Sequence, residues 1–233
     1  MSLIIKKNTT FKIPRTGVSF LPSSLGGLAL WLKADAGLIL DEANDVIQWT
    51  DQSNVGNNFL QDLNYLAPAE NDIINGYSAV LFNGGRLAGN DIVTGKTIYA
   101  VVKALGTQPE AYAAIFECTG GSLYSAISDT EWGSYFNGGF SSNDSLLANT
   151  PAIIATLSDD GETFEYRKDG ASQLNSSSGG GFYSRSAAYL GNDGSAGQPA
   201  NVYISEIIVY DRVLTISECQ EVEAYLNDKY QIY

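Results

Sequence analysis

The sequence predicts an all-β domain, an antiparallel two-sheet sandwich with one α-helix at its C-terminal end, and three observations predict it. The 233 residues are 44% hydrophobic and rich in Tyr (14), Phe (9) and Gly (24), a mixture that suits short strands and tight turns. Short apolar runs recur along the chain and are separated by turn-forming pairs such as Asn83-Gly84, Asp160-Gly161 and Asp169-Gly170. Helix-start chemistry is concentrated at one place, Thr215-Ile216-Ser217-Glu218. A chain of this length can form one domain and hide roughly 70–75% of its unfolded surface, so no metal or disulfide staple is required.

In chain order, residues 1–25 read as a basic N-terminal arm and residues 26–233 as the body. The arm holds Pro14 and Pro22 and alternates apolar residues at Leu3, Ile5 and at Phe11, Ile13. Strands are expected at Ala29–Ala34, Val46–Asp51, Ala79–Asn83, Thr97–Ala104, Ala113–Cys118 and Leu123–Ser128. Further ones follow at Trp132–Phe136, Ile153–Ser158, Thr163–Lys168, Ala187–Gly191 and Val202–Tyr210. Two of them are apolar on both faces and belong at the centre of a sheet. In one, Ile98, Ala100 and Val102 oppose Tyr99 and Val101; in the other, Ile204 and Ile208 oppose Ile207 and Val209. Phe164 and Tyr166 alternate with Glu165 and Arg167, the pattern of a strand wet on one face. Asn175–Gly181 has the composition of a mobile loop. After the capping box, Cys219, Val222, Leu226 and Tyr230 recur at helical spacing, predicting a helix over about Ile216–Lys229 with one apolar stripe.

The formal charge of −13 argues against nucleic acid and anionic membrane as partners. Four of the 13 basic residues, Lys6, Lys7, Lys12 and Arg15, lie in the arm, and the first acid is Asp35. With no histidine, the usual triads and zinc–histidine sites are excluded. Cys118 and Cys219 sit on apolar-patterned segments and read as buried thiols, a disulfide being the alternative. Met1–Pro14 lacks the apolar core of a secretory signal, and no apolar run reaches the length of a membrane-spanning helix.

Four segments in order carry a resemblance to a known family. They are Leu28-Ala29-Leu30-Trp31-Leu32-Lys33-Ala34-Asp35-Ala36-Gly37, Trp49-Thr50-Asp51-Gln52-Ser53-Asn54-Val55-Gly56-Asn57-Asn58, Asn75-Gly76-Tyr77-Ser78-Ala79-Val80-Leu81-Phe82-Asn83-Gly84 and Ile204–Leu214 running into Thr215–Glu218 and Val222–Leu226. Together they resemble the laminin-G-like branch of the concanavalin A-like lectin and glucanase superfamily. The resemblance implies a jelly-roll sandwich over about residues 26–230. Asn54 stands where the family often has Gly, and Asn tolerates the left-handed conformation such a turn needs. The fold hosts lectins, hydrolases and scaffolds alike, so function must come from the residues.

Those residues argue for binding rather than catalysis. The superfamily's hydrolases carry Glu-x-Asp-x-x-Glu; here Glu117 stands alone beside Cys118, and Asp41, Glu42 and Asp45 fall in a turn-like stretch. No cofactor is required. Calcium is a candidate through the oxygens of Asp51, Ser53, Asn54 and Asn57, against the alternative that these side chains tie their own turn. A glycan could stack on Trp132, Tyr135 and Phe136 beside Asn137, with Tyr183 a second aromatic, against the alternative that these rings pack in the core. The arm residues Leu3, Ile5, Lys6, Lys7, Phe11, Lys12, Ile13 and Arg15 could add a strand to a neighbour or lie on the acidic body itself. The expectation is therefore a virion surface protein, a capsid decoration or tail-attached module, anchored through its arm to other structural proteins of an assembly and itself a homo-oligomer. A glycan-binding lectin or adhesin is the alternative, and a glycoside hydrolase the weaker one.

Overall fold

The computed structural model of the chain describes residues 20–62, 66–106, 108–110, 112–126, 132–136, 139–143, 148–177 and 184–233. Residues 125–126, 134–136, 139–143 and 174–177 are described through their backbone alone. The first nine strands are β1 Leu28–Lys33, β2 Leu38–Leu40, β3 Val46–Trp49, β4 Phe59–Gln61, β5 Ala69–Ile74, β6 Tyr77–Asn83, β7 Leu87–Gly89, β8 Thr97–Ala104 and β9 Tyr112–Cys118. They are followed by β10 Gly121–Ala126, β11 Trp132–Phe136, β12 Gly139–Asn143, β13 Pro151–Leu157, β14 Thr163–Lys168, β15 Ala171–Ser177, β16 Tyr189–Leu190 and β17 Asn201–Tyr210. The helix α1 spans Ile216–Tyr230.

These strands form two antiparallel sheets. The eight-stranded sheet runs β15-β14-β13-β8-β17-β6-β5, with β1 paired to β17, and the nine-stranded sheet runs β12-β11-β10-β9-β16-β7-β4-β3-β2. The main core lies between them, with Trp49, Phe59, Phe82, Phe116, Phe164 and Tyr166 all buried. On the far side of the eight-stranded sheet, Trp31, Tyr99, Val101 and Ile208 meet Val222 and Leu226 of α1. Three layers result: helix, sheet, sheet.

Most of the sequence reading holds, and the departures have structural causes. The two strands apolar on both faces, β8 and β17, are neighbours at the centre of the eight-stranded sheet, covered by the second sheet on one side and α1 on the other. The faces expected for β17 change, because a register shift between Ile204 and Glu206 inserts an unpaired residue. Ile204 therefore shares the inter-sheet face with Ile207 and Val209, while Ile208 turns toward α1. Arg167 is buried rather than wet, because Glu223 of α1 descends onto it in a two-point ion pair, Nε–Oε1 2.5 Å and Nη2–Oε2 3.0 Å. Asn175–Ser177, expected in a loop, belong to β15, whose backbone pairs with β14; residues 178–181 lie outside the described residues. Cys118 and Cys219 are free, buried thiols in different layers.

The capping box forms as expected. Thr215 Oγ1 accepts from Glu218 N, and a Glu218 carboxylate oxygen accepts from Thr215 N at 2.8 Å. Below the helix, Glu206 of β17 is buried and accepts from four donors. These are Trp31 Nε1 (2.7 Å), Tyr225 Oη (3.0 Å), Tyr230 Oη (2.9 Å) and Lys229 Nζ (2.8 Å). A buried carboxylate this well supplied costs little, and it fixes where α1 sits along the sheet.

Candidate binding face

The two sheets have unequal outer faces: the eight-stranded one is covered by α1, and the nine-stranded one has no helix over it among the described residues. Strand alternation decides what the second face presents. Phe59, Leu87, Leu190, Phe116 and Leu123 point into the core, so their neighbours Leu60, Ala88, Tyr189, Glu117 and Ser122 point outward. Register then aligns these residues. Ile39, Gln48, Leu60, Ala88, Tyr189, Glu117 and Ser122 are successive cross-strand partners from β2 to β10. At about 4.8 Å between strands the row is about 29 Å long.

The row changes character along its length. At the β2 end Ile39 and Leu60 are 48% and 43% exposed. At the other end Glu117 is 2% exposed, and its carboxylate accepts from Tyr124 Oη (3.0 Å), from Gly194 N (3.0 Å) and from Arg185 Nη2. Burial, then the Glu117 charge, pushes the Tyr124 hydroxyl well above its usual range, which keeps its proton in place as the donor to Glu117.

Glu117 thereby holds a loop. Residues 191–200 are fastened at Gly194 N, and Arg86 secures the same turn by donating to the carbonyls of Asp193 (3.0 Å) and Gly194 (3.3 Å). Arg86 also pairs with Asp62 and lies over the Tyr189 ring at 5.3 Å. Within the loop, Asn192 Oδ1 accepts from the backbone N–H of Asp193 and Gln198, and Asp193 Oδ1 accepts from Gly197 N. Gln198 O accepts from Ala114 N at 2.8 Å, which lays the loop beside β9. Gly191 starts it with φ +75°, where a Cβ would lie 1.9 Å from the Phe82 ring, so only glycine serves there. The loop is thus held by Glu117, Arg86 and its own hydrogen bonds.

The site residues expected from sequence fall differently. The turn Asp51–Asn57 is closed on itself. Asp51 accepts five hydrogen bonds, from the N–H of Trp31, Ser53, Gly56 and Asn57 and from Ser53 Oγ at 2.6 Å. Asn57 Nδ2 donates to Ala29 O, and Asn54 takes φ 72° as expected of it. These contacts tie the turn of Asp51, Ser53, Asn54 and Asn57 to itself and to β1. Trp132 is 0% exposed and packs edge-on against Tyr166, centroids 5.6 Å apart, so its ring is core and offers no stacking face. Tyr135 and Phe136 are described through their backbone alone; Asn137 and Tyr183 lie outside the described residues. So do the arm positions Leu3, Ile5, Lys6, Lys7, Phe11, Lys12, Ile13 and Arg15. Residues 20–25, counted with the arm, rest on the body: Phe20 meets Tyr225, and Pro22 O accepts from Tyr210 Oη at 3.0 Å.

What the sequence reading missed is Arg86, Arg185 and the weight of Glu117. One signal was present. Glu117 interrupts the apolar run Ala113–Cys118, and a charge on a central strand needs a partner. The partners come from segments far away in the chain, which no local pattern reveals.

No protein-family model matches the chain, and no curated protein matches it in sequence. Solved structures do match in fold. A Trypanosoma rangeli sialidase bound to the inhibitor DANA superposes with a TM-score of 0.60 at 15% identity, over 88% of this chain and 33% of the sialidase. The receptor binding domain of botulinum neurotoxin type G gives 0.59 at 14% identity, over 86% of this chain and 51% of that one. The binding domain of Paraclostridial Mosquitocidal Protein 1 gives 0.59 at 10% identity, over 88% and 53%. At these identities the likeness is one of fold. This chain spans between a third and about half of the chains it matches.

Proposed function

We propose that this chain is a non-catalytic, lectin-like binding module that takes a cell-surface glycan across the outer face of its nine-stranded sheet. One observation carries the reading: a seven-residue row crosses that face, open at one end and bordered at the other by a loop fixed through Glu117 and Arg86. A rigid rim lowers the ordering cost of binding. Two carboxylates of the face among the described residues are already committed, Glu117 to Arg185 and Asp62 to Arg86, which favours recognition over acid–base chemistry. Two of the fold neighbours are domains named for binding, and the sequence resemblance to laminin-G-like domains points the same way. The sialidase neighbour makes a sialoside the first ligand to try.

The test is a glycan array on the full chain and on Ala88→Arg, which places a long charged side chain in the middle of the row. Binding to a defined set of glycans, weakened about tenfold or more by Ala88→Arg with the melting temperature retained, is the expected result. Binding untouched by the substitution would move the site elsewhere, and turnover of a fluorogenic sialoside would make the chain an enzyme.

Display of this module on a virion surface, with attachment through residues 1–17, rests on the sequence: four basic residues and alternating apolar ones ahead of an acidic body. An incorporation assay comparing the full chain with one lacking those residues tests it.

A further inference from the structure

Sheet edges in stable proteins are blunted by lysine, proline or a covering element. β2 ends the nine-stranded sheet and has neither residue. It reads Leu38-Ile39-Leu40, pairs with β3 on one side, and has no strand on the other among the described residues. Ile39 and Leu40 are exposed, and Ile47 of β3 is exposed beside them, so apolar side chains and a strand edge coincide. Directly after β2 come Asp41 and Glu42, both exposed, and then Asp45. Asp41 Oδ1 accepts from the N–H of Ala43 and of Asp45, which gathers the acids into one tight turn. Burial, then the Asp41 charge, raises the Asp45 carboxyl, as expected where negative charge is crowded. The occupant this edge calls for is an extended segment with alternating apolar residues and positive charge.

A second copy of the same edge fails that description, since its acidic turn would repel this one. The chain itself contains a segment that meets it: Leu3, Ile5, Phe11 and Ile13 alternate, and Lys6, Lys7, Lys12 and Arg15 are interleaved with no acid among them. We infer that in the free chain this N-terminal segment docks along the β2 edge of its own body, covering Ile39, Leu40 and Ile47 with its basic residues against Asp41 and Glu42. Of the 19 residues before Phe20, those after Ile13 form the tether, up to about 20 Å when extended, and a tethered segment acts at about millimolar effective concentration. The mode is strand addition: backbone hydrogen bonds supply affinity, and alternate side chains supply fit.

Trypsin reads this directly in the full chain, by the rate of cleavage after Lys12 followed by mass spectrometry. The comparison protein carries Ile39→Ser with Leu40→Ser, exposed positions whose replacement leaves the core intact, and a thermal melt verifies that both are folded. Cleavage at least about tenfold slower in the parent chain than in the edge variant, with the protection lost in high salt, is the expected result. Rapid cleavage of both chains would overturn the inference, and equal protection of both would show that the segment docks elsewhere. Protection that fades on dilution, with a dimer in light scattering, would make the occupant a second copy and overturn it as well.

Discussion

On the eight-stranded sheet a glutamate of β17, Glu206, is buried beneath α1; on the nine-stranded sheet a glutamate of β9, Glu117, is buried beneath a loop. Both are supplied with a cation and a tyrosine hydroxyl. The difference is what each fastens. Glu206, and separately the Glu223–Arg167 pair, lock a regular element whose apolar stripe seals the face behind it. Glu117 locks residues 191–200, and toward β2 the row carries no helix among the described residues. The same chemistry closes one face and prepares the other, because what is attached decides whether water is excluded afterwards.

Substitutions should break the two faces to different degrees. The largest effect belongs to the sealed one. Leu226→Asp puts an unpaired carboxylate against Trp31 and Val101 and should cost about 4 kcal/mol or more. That is a fall of about 10 °C in melting temperature for a chain of this size. If calorimetry showed a change within error, α1 would not be a structural layer at all.

Next come the buried ion pairs, which sharpen the contrast. Glu223→Ala leaves Arg167, whose side chain is 6% exposed, with Glu165 as its remaining ion-pair partner and should cost about 3 kcal/mol of global stability. Glu117→Ala leaves Arg185, at 28%, able to turn to water, so the global cost should be nearer 1–2 kcal/mol. Its signature should instead be local: faster amide exchange in residues 191–200, with the sheets protected. Equal melting temperatures and equal exchange patterns for the two variants would erase the distinction between a lock on the fold and a lock on a loop.

The smallest effect concerns the rim of the sealed face. The Arg212 guanidinium, then the N–H of Thr215, hold the Glu218 carboxyl down at about 2, below its ordinary 4.5. A depressed carboxyl stabilises above its unfolded value and stops doing so as pH falls through its folded value. The cap should therefore persist at pH 5 and weaken progressively toward pH 2. NMR titration of Glu218 checks this. A midpoint near 4.5 would mean that Arg212 and Thr215 do not hold it.

The sequence by itself determined whatever depends on neighbours along the chain. Alternation found β8 and β17 and their place at the centre of a sheet, and 3.6-residue spacing with a capping box found α1 to within a residue. Asn54 was foreseen in the left-handed region because its turn needs such a residue there. The short strands β2, β4 and β7, three residues each, hold too few residues for any period to register. Arg167 looked wet because its partner, Glu223, lies 56 positions away on an element that arrives only when the layers assemble. Glu117 looked isolated for the same reason, since Tyr124, Arg185 and Gly194 meet it only through the sheet. Trp132 could be read as a sugar platform or as a core ring until sheet packing set it against Tyr166. Local pattern fixes which elements form, because backbone hydrogen bonding and side-chain period are local. Which charge is buried, and which face stays open, is decided by contacts between residues remote in sequence, and those exist only in the folded chain.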